Sequence, residues 1–301
     1  MTLTPTSENI ARAAEFIRAG KLVAFPTETV YGLGANALDA GAVSRIFEAK
    51  KRPRTSPLIV HVASIEMARE FAAEWPDAAE ALARRYWPGP LTLVLPKRAC
   101  IPDIVTAGLP TAGLRMPAHP VALDLIRAAG VPIAAPSANR FTELSPTAAA
   151  HVREELADCV LDGGPARIGI ESTVLSLAGA ATLLRPGVIP LPEIEALIGQ
   201  VTVAVEAGAG AHAAPGMHAR HYRPATLLLL IGEGDAVPEG RGARLRIGIE
   251  MPADPLAYAA SLYETLHRLD AEGWEWIAVE RPPDAPEWSG VLDRLRRAAQ
   301  S

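Results

Sequence analysis

The sequence predicts an α/β protein: a larger domain on a mixed sheet, then a smaller unit of the same class. Three observations lead there. Short apolar runs of strand length alternate irregularly with segments of helical period. The texture breaks between Glu206 and Ala225 into small residues punctuated by Gly and Pro, which reads as a linker. Charge divides at the same place. Thr226 to Ser301 carries 8 basic and 13 acidic residues, which leaves 21 of each sign in Met1 to Ala225. The expected organisation is a first domain over 1–205, a linker over 206–225 and a small domain over 226–301.

In chain order, Ser7 to Gly20 reads as a helix, with Ser7 as cap, Ile10, Ala14 and Ile17 as one face, and Gly20 as its end. Lys21 to Phe25 is a short strand stopped by Pro26. Asp39 caps a helix running to Lys51, with Val43, Ile46 and Phe47 as its buried stripe. Leu58 to Val62 is a strand whose faces split Leu58, Val60 and Val62 from Ile59 and His61. Helices follow over Ile65–Glu74 and Asp77–Tyr86, then a strand over Leu91–Leu95 between prolines. Ala122–Ala129 is a helix, Val131–Ala135 a strand and Thr147–Glu155 a helix. Thr173–Leu177 and Ala181–Leu184 pair as strands. Beyond the linker come strands Thr226–Ile231 and Arg244–Glu250, helix Asp254–Leu269, strand Trp276–Glu280 and helix Trp288–Ala299. That order suits a small parallel sheet.

Composition narrows the function. The chain has 301 residues, 49% hydrophobic and 21% charged, which excludes general disorder. Its net charge of −5 argues against a general grip on a nucleic-acid backbone. Cys100 and Cys159 stand in unrelated contexts and make neither a disulfide framework nor a zinc set, so a reducing cytosol is the simplest home. The first residues do not read as a signal peptide, and no apolar run reaches the ~18 residues a membrane-spanning helix needs.

Several segments carry polar chemistry. FPTETVYGLG (Phe25–Gly34) follows a strand and, alone, reads as a polar turn. Lys50, Lys51, Arg52 and Arg54 crowd a helix C-terminus. Cations suit that end, but four like charges repel, and a multi-charged anion such as phosphate would relieve them. His61 in an apolar strand is more often a satisfied core residue than a ligand. Arg115, between apolar residues and a proline, needs an anion, either an internal carboxylate or a bound one. Ser137 and Asn139 follow a strand, where ligands of α/β sheets bind, although turn chemistry accounts for them too. Ser145-Pro146-Thr147, Glu171-Ser172-Thr173 and Arg185-Pro186-Gly187 have similar double readings. His218 and His221 lack a third partner in view and do not make a metal site. There is no phosphate-binding loop of the G-x-x-x-x-G-K-[ST] type, no Cys nucleophile and no Ser-His-Asp arrangement. Hydroxyls, amides and cations suit a nucleotide held by positioning and electrostatics.

FPTETVYGLG, Lys50-x-Arg52-Pro53, PLIVHV, GLRMPAHP, SAN, ESTV and LRPG occur here in the order that characterises the YrdC-domain family. The linker PGMHARHYRP and the trailing unit resemble the longer, two-domain members, the threonylcarbamoyl-AMP synthases. The trailing domain, about 75 residues, is short for that pattern. The resemblance implies a twisted mixed-sheet first domain with a concave, positively charged face, and a Rossmann-like second one. It implies formation of L-threonylcarbamoyladenylate and pyrophosphate from L-threonine, bicarbonate and ATP. A downstream transferase complex then modifies the adenosine next to the tRNA anticodon, so stable tRNA binding is not expected here. By motif, Thr29, His61, Arg115, Ala135 and Ser172 would line a threonine pocket. Lys50, Arg52, Ser56, Thr111, Ser137, Asn139, Ser145, Arg185 and Tyr222 would hold ATP. Lys50 and Arg52, with Mg2+, would neutralise charge growing on the phosphates. The linker, Pro215 to Pro224, is expected to close as a lid over a water-sensitive product. Two alternatives stand beside this: a non-catalytic RNA-binding module, and a carbamoyl-transfer protein of hydrogenase maturation.

Overall fold

The computed structural model describes residues 1–204, 222–232 and 235–299. His218, His221 and most of the expected lid lie outside them. The first lobe runs β1 (Thr2–Leu3), α1 (Ser7–Arg18), β2 (Val23–Phe25), β3 (Gly32–Asn36), α2 (Ala40–Lys50), β4 (Ile59–His61), α3 (Ile65–Phe71) and α4 (Asp77–Tyr86). It continues through β5 (Leu91–Pro96), α5 (Asp103–Thr106), β6 (Thr111–Arg115), α6 (Pro120–Ala129), β7 (Ile133–Ala134) and β8 (Cys159–Leu161). It ends with β9 (Thr173–Ser176), β10 (Thr182–Arg185), α7 (Leu191–Ile198) and β11 (Thr202–Val203).

These strands form one mixed sheet in the order β1-β8-β2-β3-β7-β4-β6-β5-β9-β10-β11. Helices cover both faces. On one, Ala13, Ala14 and Ile17 of α1 pack with Val121, Leu125 and Ile126 of α6 over Phe25 and Ile133. On the other, Ile46 and Phe47 of α2 and Leu82 of α4 pack on Val60, Leu91 and Leu93. The side-chain split anticipated for β4 holds: Leu58, Val60 and Val62 enter that second core, whereas Ile59 and His61 face a cavity. Asp39 caps α2 as anticipated, accepting from Gly41 N and Ala42 N. The cap of α1 is Thr6, one residue earlier than expected, because its hydroxyl accepts from Asn9 N. β9 and β10 pair, as the sequence suggested, and do so antiparallel.

Two expectations fail for local reasons. Thr147–Glu155 is no helix but two short turns of 3-10 geometry, Ala149–His151 and Glu154–Leu156. The Thr147 carbonyl accepts from Ala166 N, while the His151 N–H bonds the Ala148 carbonyl three residues back, so the turn closes in 3-10 geometry. The strand placed at Arg244–Glu250 sits earlier, as β13 (Gly242–Leu245). Gly248, at φ +75°, turns the chain, and the Glu250 carboxylate takes the Arg246 N–H. β3 lies inside the supposed polar turn, where its small residues conceal it.

The second lobe contains β12 (Leu227–Ile231), β13, α8 (Pro255–Ala271), β14 (Trp276–Glu280) and α9 (Ser289–Ala299). Its sheet, β12-β14-β13, is parallel throughout, as expected. Its core is shared with the first lobe: Val30, Leu144 and Ile170 pack with Tyr258, Leu262, Leu266 and Leu295.

Candidate active site

Parallel pairing of β4 and β6 puts His61 directly beside Arg115 at the C-terminal ends of both strands. A cavity opens there. Ligands of α/β sheets favour such strand ends. The β2–β3 connection contributes Thr29 and Val30, the segment after β7 contributes Ala135, Pro136 and Ser137, and Ser172 and Arg185 close the far side.

One end of the cavity is built around Arg115. Its Nη2 donates to Glu28 Oε1 at 2.7 Å, and both side chains are almost fully buried. Glu28 also accepts from Ala118 N at 2.9 Å, and Arg115 Nε donates to Gly89 O at 3.2 Å. The sequence left Arg115's partner open; an internal carboxylate is there. Nη1 makes no hydrogen bond to any described residue, and the side chain lies on the cavity wall. Beside it His61 is buried with Nδ1 unpartnered among the described residues. Burial, then the Arg115 charge, pull the His61 pKa down to about 3, so the imidazole is neutral near pH 7. The hydroxyls of Thr29 and Ser172 are tied back to Thr27 and Thr92, each at 2.8 Å.

The other end is cationic. Arg52 Nη2 donates to Ser56 Oγ at 2.5 Å and to Pro57 O at 3.1 Å. Burial lowers its pKa to about 10, with Tyr222 acting against the fall and Arg185 adding to it. Arg185 donates from Nε and Nη2 to Ser172 O at 3.1 and 2.9 Å. Tyr222, the first described residue beyond 204, is buried and lies on the same wall. Two guanidiniums on one cavity wall, with hydroxyls nearby, can hold a polyanion.

Of the residues singled out from sequence, Thr29, Arg52, His61, Arg115, Ala135, Ser137, Ser172, Arg185 and Tyr222 share this wall. Five do not. Lys50 is fully buried behind it, and its Nζ donates to Ser137 O at 2.6 Å and to Asn139 O, so it anchors the SAN loop. Ser56 supports Arg52 from below. Asn139 faces a neighbouring cavity of about 460 Å³, along with His267 and Asp270. Ser145 donates to Glu171 and is buried. Thr111 sits at the opposite end of β6 from Arg115, paired with Pro96, roughly 13 Å along the strand.

Sequence reading missed Glu28 and Glu171 as members of the site. Both had a signal. A buried Arg115 demanded an anion, and Glu28 stands inside the FPTETV motif. Glu171 precedes Ser172 and lines the cavity. Among the described residues no group of three or more His, Cys, Asp or Glu side chains could hold a metal ion.

Two family models match the chain: one described as "Telomere recombination", of the Sua5–YciO–YrdC group, over residues 15–187, and one described as "Threonylcarbamoyl-AMP synthase, C-terminal domain" over 189–300. The threonylcarbamoyl-AMP synthase of Pyrococcus abyssi is 45% identical, covering 95% of this chain and 93% of its own. That of Bacillus subtilis is 41% identical, covering 99% and 94%. The crystal structure of P. abyssi Sua5 complexed with L-threonine superposes with a TM-score of 0.91 at 41% identity, over 99% of this chain and 96% of that one. With both lobes and their order matched, the chain belongs to the Sua5–YciO–YrdC family, in the two-domain form of the threonylcarbamoyl-AMP synthases.

Proposed function

We propose that this protein is an L-threonylcarbamoyladenylate synthase, joining L-threonine, bicarbonate and ATP and releasing pyrophosphate. One observation carries the reading: a single cavity holds the Arg115 guanidinium and a neutral His61 at one end, and the Arg52–Arg185 pair at the other. That is the arrangement an amino acid beside a nucleotide requires. The names of the P. abyssi and B. subtilis relatives support it, as does the threonine in the P. abyssi structure.

In this reading the substrate carboxylate takes the outward Nη1 of Arg115, while Glu28 holds the opposite side of the guanidinium. Thr29, His61, Ala135 and Ser172 enclose the rest of the amino acid. The free amine nitrogen forms a bond to the carbon of CO2 or bicarbonate and a carbamate results; the amine proton passes to solvent when CO2 is the donor, and leaves in a water molecule with the bicarbonate oxygen when bicarbonate is. A carbamate oxygen then bonds to the α-phosphorus. The bond from that phosphorus to the bridging oxygen breaks, and its electron pair departs with pyrophosphate. No protein nucleophile is required. Arg52 and Arg185 stabilise the charge that develops on the phosphates. Ser137 borders the same space, with its loop held by Lys50. Asn139, Ser145, Ser56 and Thr111 would act from outside the wall, the first three by shaping it. Mg2+ fits as an ion carried by the phosphates, since the described residues offer no cage of their own, and it would supply further charge neutralisation. Tyr222 would border the nucleotide from the same wall.

The proposed setting is the cytosol, with a tRNA-modifying transferase consuming the product. No described helix is long and apolar enough to cross a membrane. The test is mass spectrometry of protein incubated with ATP, labelled bicarbonate and L-threonine. A labelled threonylcarbamoyl-adenylate with threonine-dependent pyrophosphate release upholds the reading. Salt-sensitive RNA affinity without turnover would replace it with the RNA-binding alternative.

A further inference from the structure

Left-handed backbone is costly for any residue with a Cβ, and most so for β-branched and bulky ones. Among the described residues, four that are not glycine adopt it: Lys51, Ala107, Thr142 and Tyr222. The first two have an ordinary reason. Lys51 closes α2 and Ala107 closes α5. Thr142 (φ +73°) and Tyr222 (φ +63°) close no helix. They come from distant parts of the chain, and they meet. The Arg223 N–H donates to the Thr142 carbonyl at 2.9 Å, and Glu143 and Arg223 continue the contact as a parallel bridge.

Each residue is held from its own side. Glu143 N donates to Arg140 O at 3.2 Å and closes a turn. Thr142 is its third residue, where a positive φ usually selects glycine. Asn139 locks that turn, since its Nδ2 donates to Arg140 O and Glu143 O, both at 2.8 Å. The Asn139 carbonyl takes the Lys50 ammonium, which ties the turn to the loop that borders the cavity at Ser137. Tyr222 is 1% exposed. Its ring centre lies 6.0 Å from that of Tyr263 in α8, and the Arg294 guanidinium of α9 sits 5.2 Å away over its face. Farther along, Ala225 N and Thr226 N donate to Asp270 at 3.1 and 2.8 Å, a mooring within the second lobe. The bond to Thr142 instead fastens the chain beside Tyr222 to the first lobe. Thr142 stays off the wall that carries Tyr222 and faces the neighbouring cavity. Strain of this kind persists only where neighbouring contacts enforce it, and it points to a task at that place.

We propose that Thr142 is a positioning residue for Tyr222. Its left-handed backbone aims the carbonyl at Arg223, and that bond sets the backbone of Tyr222 so that the ring lies on the cavity wall. The inference rests on the cavity being the ATP and threonine site. The nucleotide end of the cavity depends on this contact, and the Arg115 end does not.

The experiment measures pyrophosphate release by the full chain as wild type, Thr142→Gly, Thr142→Pro, Tyr222→Ala and the Thr142→Pro/Tyr222→Ala double variant, with ATP and threonine each varied. Glycine accepts a positive φ, so Thr142→Gly should keep the KM for ATP within about twofold of wild type. Proline fixes φ at about −65° and cannot hold the turn, so Thr142→Pro should raise that KM about fivefold or more. The KM for threonine should stay within about twofold. Because Thr142 acts through Tyr222, the double variant should match Tyr222→Ala. An unchanged KM for ATP in Thr142→Pro, a Thr142→Gly no better than Thr142→Pro, equal rises in both KM values, or a double variant worse than Tyr222→Ala overturns the proposal. Should Thr142→Pro fail to fold, hydrogen exchange at the Arg223 amide of the wild type decides. Exchange about tenfold or more slower than in an unstructured chain is expected, and exchange at the unstructured rate overturns the proposal. A wild-type protein that releases no pyrophosphate sinks the functional reading, and the exchange measurement still judges the bond. A wild type that turns over while the variants break the pattern sinks only the role of Thr142.

Discussion

The molecule contains two buried arginine–glutamate pairs bordering one cavity, and they are built differently. Arg115–Glu28 lies wholly within the first lobe, and its Nη1 makes no bond to a described residue. Arg294–Glu171 joins the lobes, and all three guanidinium nitrogens are taken by protein acceptors. A partly engaged guanidinium can receive a ligand carboxylate. A saturated one can only fix the protein around it. The contrast teaches that similar charge pairs serve recognition or positioning according to which donors are left over.

The contrast can be broken most severely at Arg115. Arg115→Ala should abolish threonine-dependent pyrophosphate release, by about a hundredfold or more, and leave Glu28 buried alone at a cost of about 3–5 kcal/mol. Titration with threonine and a thermal melt read both. Threonine dependence close to wild type would show that the recognition pair is misassigned.

Acid should act next. His267 of α8 donates to the Ser145 carbonyl at 3.1 Å and stacks on His151 with ring centres 3.9 Å apart. Burial and then the His151 charge lower its pKa to about 4, with Ser145 and Asp270 pulling the other way. His151, itself lowered mainly by burial, faces Glu264 at 3.3 Å. A histidine depressed in the folded state binds its proton first in the unfolded one. Its contribution is therefore full above about pH 6.5 and lost as pH falls toward about 4, on the order of 3 kcal/mol for His267. Urea melts across that window should show a shallower pH slope for His267→Gln than for wild type. Parallel slopes would remove this residue from the seam's pH response.

A milder change sharpens the recognition pair. Glu28→Gln leaves Arg115 without its internal anion, so stability without ligand should fall by about 2 kcal/mol. A ligand carboxylate no longer competes with Glu28, so threonine should bind about threefold more tightly by calorimetry. Weaker binding would mean that Glu28 orients Arg115 more than it competes. Smallest of all should be Thr111→Ala, with less than about a twofold change in either KM. A large loss there would extend the site along β6, well beyond the cavity wall.

What could be read from the sequence follows from how local each cause is. Helices α2 and α8 declare themselves by cap and stripe, with Asp39 and Asp254 accepting the first free N–H groups. Arg115 was legible because a charge set among apolar residues must find an anion. Its actual partner was not, because Glu28 reaches it across 87 residues of chain. Arg294 was less legible still. It sits in a helix ending in further arginines, where cations suit the terminus, and its carboxylate lies 123 residues away. Lys50 shows the opposite limit: the motif marks it, but only the structure shows its ammonium turned into the SAN loop carbonyls. β3 stayed hidden because its residues, GLGAN, carry almost no side-chain pattern.

The seam between the lobes has one more property. At two points main chain meets main chain. A Cβ added to Gly290 of α9 would come within 2.5 Å of the Gly187 carbonyl oxygen, and one added to Gly169 within 2.3 Å of Ala259 O in α8. Where bare backbones touch, no rotamer can swing aside to absorb a sideways displacement. Close packing of that kind leaves little room for one half to shift sideways against the other.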